Sequence, residues 1–141
     1  MADVEFERFK TLLRKHSYLV TQPRMRLFGY LQNHPAYTLK ELIHLTKKHD
    51  PVTVYRNIDL FEKLGIINRI RLGWNTKIEL SDIFQHHHHH MSCVSCGKIF
   101  ILKDNDIIEQ EIAKISQRSK FKPMDHQLEI RGLCHNCYTK K

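Results

Sequence analysis

The sequence predicts an α+β chain: an N-terminal winged helix-turn-helix followed by a smaller C-terminal α/β unit. Three observations lead there. Helix-period segments fill the first 65 residues, an alternating stretch broken by one tight turn follows, and all four cysteines fall in the last third as two Cys-x-x-Cys pairs. The expected boundaries are residues 1–80 for the first domain, 81–85 for a polar hinge and 86–141 for the second.

The first helix is expected from Val4 to His16, with Phe6, Phe9, Leu12 and Leu13 at helical spacing. In "TQPRMRLFGYLQNH" Thr21 stands as N-cap and Pro23 is tolerated in the first turn. Met25, Leu27, Phe28 and Leu31 supply its buried side, and His34-Pro35 ends it. A third helix follows Thr38, with Leu39, Leu42, Ile43 and Leu45 inward. Asp50-Pro51 opens a fourth, whose Val54, Ile58, Phe61 and Leu64 form one apolar stripe before Gly65 stops it. The period then changes: Ile66, Ile67, Ile70 and Leu72 run to a Gly73-Trp74-Asn75 turn and return as "TKIELS". The second unit has short strands in "KIFIL" and "HQLEIRGLC" around a helix from Asp106 to about Ser119.

The net charge of +8 points to a polyanionic partner, nucleic acid being the commonest. No apolar run approaches the ~20 residues that span a bilayer. "MADVEFERFK" lacks the apolar core of a secretory signal, so a cytoplasmic protein with no membrane partner is expected. Cys93, Cys96, Cys134 and Cys137 then signify metal rather than disulfides. A two-residue gap turns both sulfurs of a pair toward one point, and two pairs complete the tetrahedral shell of structural zinc. Gly97 follows the first pair, where a tight turn wants positive φ. A redox Cys-x-x-Cys would need a βαβ context absent here.

With Val54, Ile58 and Phe61 inward, Thr53, Tyr55, Arg56 and Asn57 are expected at the outer N-terminal end of the fourth helix. A helix-turn-helix presents that end to base edges in the major groove. Tyrosine and threonine can meet thymine methyls, and arginine can pair with guanine or phosphate. Arg69, Arg71 and Lys77 in the hairpin add positive charge.

Between the two units runs "QHHHHHMSCVSCGK". On an extended strand side chains alternate, so His86, His88 and His90 face one way and His87 and His89 the other. One short strand can thus feed two metal sites.

"TVYRNIDLFEKLGII", the His-x-His-x-x-Cys-x-x-Cys-Gly pattern and the closing Cys-x-x-Cys together resemble the ferric uptake regulator (Fur) family, from about Leu13 to Cys137. The resemblance implies a homodimeric repressor with a C-terminal dimerisation domain, binding a palindromic operator in double-stranded DNA when loaded with a divalent metal. Thr21-Gln22-Pro23-Arg24 matches the family's T-x-x-R helix start, which makes Arg24 a DNA-binding candidate. Leu19 departs from the pattern, because a basic residue often precedes that motif; Lys15 or Arg14 would have to compensate. The resemblance also implies a regulatory hinge site of His34, Glu79, His88 and His90. A gapless match from "TLKEL" puts Ala36 where His34 is wanted, and a small slip in the loop restores His34. An additional carboxylate found in some relatives is replaced by Ile101, which argues against a peroxide sensor. A second site is implied at His87, His89 and His126, completed by Asp106 or Glu109. His89 stands where many relatives have Asp, which shifts this site toward zinc or nickel. His86, His16, His44, His49 and His135 are expected to be solvated. The regulatory metal is Fe(II) or Zn(II), with Mn(II) and Ni(II) as further options. The competing reading is a cytosolic metal-buffering protein that uses the histidine run. An enzyme is not expected, since no paired general acid and base accompanies the metal ligands.

Overall fold

The computed structural model describes residues 2–33, 35–102 and 106–140, and the side chains of residues 2 and 3 are not described. The chain forms two compact units, Met1–His86 and His87–Lys141.

The first unit contains α1 (Ala2–Lys15), α2 (Gln22–Gln32), α3 (Leu39–Leu45), α4 (Pro51–Lys63) and the strands β1 (Ile67–Leu72) and β2 (Asn75–Leu80). Its core is aromatic at the centre. Phe9 of α1 stacks on Phe28 of α2 at 4.2 Å between ring centroids and meets Phe61 of α4 edge-on at 5.2 Å. Leu13, Leu27, Leu42, Ile58, Ile66 and Ile78 close around them, all at most 2% exposed. Burial of such side chains contributes roughly 1.5–3 kcal/mol each, which is what fixes helices too short to persist alone.

Local signals set the element ends. Thr38 and Glu41 form a reciprocal capping box on α3. The Asp50 carboxylate accepts the Thr53 backbone N–H at 3.1 Å at the start of α4. Gly65, at φ +67°, takes the left-handed conformation that ends α4. β1 and β2 pair antiparallel from Ile67↔Leu80 to Leu72↔Asn75, and a bridge from Tyr37 to Ile78 extends the sheet. Leu45, expected inward, is 39% exposed. The stretch 81–85 packs on this unit: Ser81 Oγ donates to the Gly65 carbonyl at 2.6 Å, and Phe84 meets Phe28 edge-on at 5.1 Å. Arg8 Nη1 of α1 donates to the Ile83 carbonyl at 2.8 Å.

The second unit is a three-stranded sheet ordered β4-β3-β5, from β3 (His89–Cys93), β4 (Ile99–Leu102) and β5 (Glu129–Gly132). β4 pairs antiparallel with β3, and β5 pairs parallel with it. A parallel return needs a crossover, supplied by α5 (Asp106–Arg118). A five-residue helix, α6 (His135–Thr139), follows the third cysteine and was not anticipated. No helix among the described residues is long and apolar enough to cross a membrane.

Candidate metal centres and nucleic-acid interface

β3 begins as the histidine run ends, and its backbone separates neighbouring imidazoles. The rings of His87 and His89 lie 5.0 Å apart, and those of His88 and His90 lie 4.7 Å apart. His86 is exposed, as are His16, His44 and His135, whereas His49 is only partly so.

His87 and His89 converge with Glu109 of α5 and with His126, which precedes β5. Their candidate ligand atoms all lie within 4.8 Å of one another. Glu109 Oε1 is 2.9 Å from His89 Nε2, 3.1 Å from His126 Nε2 and 3.5 Å from His87 Nε2. Tetrahedral zinc with bonds near 2.0–2.1 Å separates its ligand atoms by about 3.3–3.4 Å, so three imidazoles and one carboxylate fit. Burial holds the His89 pKa below the ordinary histidine value, outweighing the Glu109 carboxylate, and keeps a neutral nitrogen for a metal. Burial works to raise Glu109, but hydrogen bonds from His89 and His126 prevail and its carboxyl stays ionised to lower pH. Asp106, the sequence alternative, begins α5 one turn earlier and is not among the residues gathered here.

The sulfurs of Cys93, Cys96, Cys134 and Cys137 also lie within 4.8 Å of one another, and all four cysteines are free of disulfides. Cys96 and Cys134 stand 3.7 Å apart. Four sulfurs at 2.3 Å from one zinc would be separated by about 3.8 Å, so the cage has the right size. The first pair is turned by the Gly97 N–H bonding to the Cys93 carbonyl at 2.9 Å, with Gly97 at φ +72°. Backbone N–H groups of Cys134 and Cys96 draw the Cys93 thiol down to about 6. Ser95 pulls Cys137 down, but the neighbouring thiols of Cys134, Cys96 and Cys93 and burial push it up to about 11. One thiolate is therefore ready near neutral pH, and filling the cage must release the Cys137 proton.

Of the implied hinge ligands, Glu79 is buried on β2 of the first unit, opposite Asn68. His88 and His90 share the other face of the histidine run, and His90 is 3% exposed. His34 lies outside the described residues, and Ala36 is fully buried.

On α4, Tyr55 is 47% exposed and Arg56 is also exposed. Thr53 is only partly exposed, and its hydroxyl donates to the Asp50 carboxylate at 2.6 Å. Asn57, expected outward, is instead buried, with Oδ1 accepting from Arg24 Nε at 3.2 Å. Its position three residues after Val54 and four before Phe61 puts it on the apolar face, a signal that polarity obscured. Arg24 also donates Nη1 to the Leu19 carbonyl, and its guanidinium lies 5.6 Å from the centroid of the Tyr18 ring. Lys15, at the end of α1, is exposed, and Leu19 is 78% exposed. Two of the hairpin cations tie the strands to the helices. Arg69 reaches Glu62 at 2.7 Å and Asp59 at 2.9 Å, and Lys77 reaches Glu41 at 3.4 Å.

A capped and partly exposed helix before a β-hairpin thus shares a chain with two sets of converging metal-ligand side chains. The sequence profile of the ferric uptake regulator family matches residues 15–131. The chain belongs to that family. It is 35% identical to the ferric uptake regulation protein of Campylobacter jejuni, over 99% of this chain and 92% of the relative. The Vibrio cholerae ferric uptake regulator is similar in structure, with a TM-score of 0.72 and 30% identity, over 89% of this chain and 98% of the other. The Helicobacter pylori ferric uptake regulator, which has three functional metal binding sites, superposes with a TM-score of 0.83 over 100% of this chain and 96% of its own. At 20% identity that likeness speaks for the fold. As a Fur-family protein, the chain is a metal-responsive transcriptional regulator.

Proposed function

We propose that this Fur-family chain is a cytoplasmic homodimeric repressor that binds a palindromic operator when a divalent metal joins its two units. The division of the histidine run carries this reading. His87 and His89 converge with Glu109 and His126 inside the second unit, which leaves His88 and His90 on the opposite face for a different ion. Glu79 and His34, from the first unit, are the partners assigned to that ion. A metal held jointly by Glu79, His34, His88 and His90 would fix the angle between the units. In a dimer that angle sets the spacing of two recognition helices, which must match about one turn of DNA, ~34 Å.

The four-cysteine cage is assigned a permanent zinc that folds the second unit. The second site, with three nitrogens and one carboxylate, suits zinc or nickel, and the hinge set suits iron(II), zinc or manganese. DNA contact is assigned to Tyr55, Arg56 and Lys15, with Thr53 contributing its methyl and Arg24 its remaining N–H groups. Asn57 supports Arg24 from inside. The packing of residues 81–85 on the first unit moves the pivot to the 86–87 boundary. A metal-buffering protein would have no use for a capped recognition helix.

The test titrates iron(II), manganese, zinc and nickel into chelated protein and follows binding to palindromic duplexes. His90→Ala should lose metal-dependent binding, at least about tenfold, while retaining the dimer mass and the cysteine-bound zinc. Unchanged metal dependence in that variant would overturn the hinge assignment.

A further inference from the structure

We propose that Arg8 of α1 is a positioning residue for the hinge metal, which it serves by holding the linker 81–85 on the first unit. This rests on the hinge-metal reading above. Arg8 is not among the assigned ligands, and its effect runs through the backbone of Ile83.

α1 contributes more than core side chains. Phe9 and Leu13 are fully buried, while Arg8, the residue before Phe9, is exposed. Its Nη1 donates to the Ile83 carbonyl at 2.8 Å, a contact that spans 75 residues of sequence. Phe84, next in the chain, is 7% exposed and meets Phe28 edge-on at 5.1 Å. Phe6 of α1 meets the same ring edge-on at 5.2 Å, and Phe9 stacks on it. α1 and the linker thus converge on Phe28. The linker's other attachment is the turn that ends α4. There the Ser81 N–H donates to the Ile66 carbonyl at 2.9 Å, and the Ser81 hydroxyl donates to the Gly65 carbonyl.

A guanidinium gives the Ile83 carbonyl a charge-assisted bond, which is stronger than a neutral one. With residues 81–85 held, His86 alone separates the anchored chain from the second unit, which begins at His87. Release of the linker beyond Ser81 lengthens that tether about fivefold. By loop-closure entropy, the effective concentration of His88 and His90 at the first unit's ligands then falls by up to about tenfold. Arg8 therefore tightens the hinge metal without touching it.

The test uses the full-length protein with zinc at its cysteines and the other metals chelated. Amide exchange at Phe84 and Gln85, whose N–H groups donate to the Ser81 carbonyl at 2.9 and 3.2 Å, is followed first. It should quicken about tenfold in Arg8→Ala. Arg8→Lys, which keeps a charged donor, should restore most of the protection. Manganese affinity is then measured by chelator competition without DNA. It should weaken about threefold in Arg8→Ala, and by up to about tenfold in Arg8→Glu, which sets a carboxylate against the Ile83 carbonyl. At saturating metal, the slope of log DNA affinity against log salt should match the wild type in Arg8→Ala, because Arg8 is assigned no phosphate. Unchanged exchange in both Arg8→Ala and Arg8→Glu would overturn the proposal and leave the regulator reading intact. Quickened exchange with wild-type manganese affinity would also overturn it, if His90→Ala still loses that affinity. Wild-type manganese affinity in His90→Ala would remove the hinge reading and this proposal with it. A shallower salt slope with unchanged exchange would make Arg8 a phosphate contact instead.

Discussion

Single side chains here hold more than one function apart by where their polar atoms are committed. Asn57 occupies an apolar face because it accepts from Arg24, and Arg24 in turn holds the Leu19 carbonyl and lies over Tyr18. Asn57→Ala would strand a partly buried guanidinium N–H, a loss of about 1–3 kcal/mol. Thermal unfolding should record it as a lower Tm, by ~4–8 °C per kcal/mol for a unit of this size. An unchanged Tm would mean that water replaces the amide. The histidine cluster makes a second prediction, in pH. His89 has a folded pKa below its unfolded value, so the unfolded chain takes up its proton first as the solution is acidified. Its stabilising contribution is present above the ordinary histidine value near 6.5 and is lost as pH falls through the lower folded value. Glu109, also depressed, acts in the same direction at lower pH. The Tm of the metal-free protein should therefore drop between about pH 7 and 5, less steeply in His89→Gln, and metal retention at this site should fall over the same range.

Among the helices, α4 depends on its first turn. The Asp50 side chain accepts both the backbone N–H and the hydroxyl of Thr53, and those two bonds hold its carboxyl below the usual carboxylate range. Asp50→Ala should fray the end that carries Thr53, Tyr55 and Arg56, lowering DNA affinity more than Tm. Asp50→Asn, which can still cap, should restore most of the affinity. An affinity equally reduced in both would assign Asp50 a charge effect instead. The sequence announced this helix through Asp50-Pro51, the Val54-Ile58-Phe61 stripe and Gly65, because each signal is local. The hairpin was equally readable from its change of period. The parallel β3–β5 pairing and α6 were not, since one depends on a crossover and the other on the turn between two zinc-type cysteines. Asp106 and Glu109 could not be separated by spacing alone, being one helical turn apart on one face. Alternation, by contrast, is a local property of an extended strand, and His87 and His89 lie together beside Glu109 and His126.

The two units differ most in how their apolar side chains are used. Among the described residues, the buried hydrophobic side chains of the second unit reduce to Cys93, while the first unit holds the whole aromatic and aliphatic core. Phe100, Ile101, Ile130 and Leu133 are 38–52% exposed. Phe100, Ile130 and Leu133 line an apolar cleft of about 250 Å³ together with Met91, Cys93 and Cys134. A 55-residue unit so poor in buried apolar area cannot offset its chain entropy alone. Zinc in the cage would supply part of the deficit, and in the proposed homodimer a second copy covering this face would supply the rest. Replacing Ile130 and Leu133 together by lysine should yield a monomer in sedimentation equilibrium, with zinc still at the four cysteines. A monomer keeps one recognition helix and loses the second binding event that dimerisation makes intramolecular. Its affinity for a two-half-site duplex should therefore fall by about 10²–10⁴-fold, and its affinity for a single half-site should barely change. A dimer mass that survives both lysines would place the interface on another face, and α5, with Ile107 72% and Ile115 59% exposed, would be the next to charge.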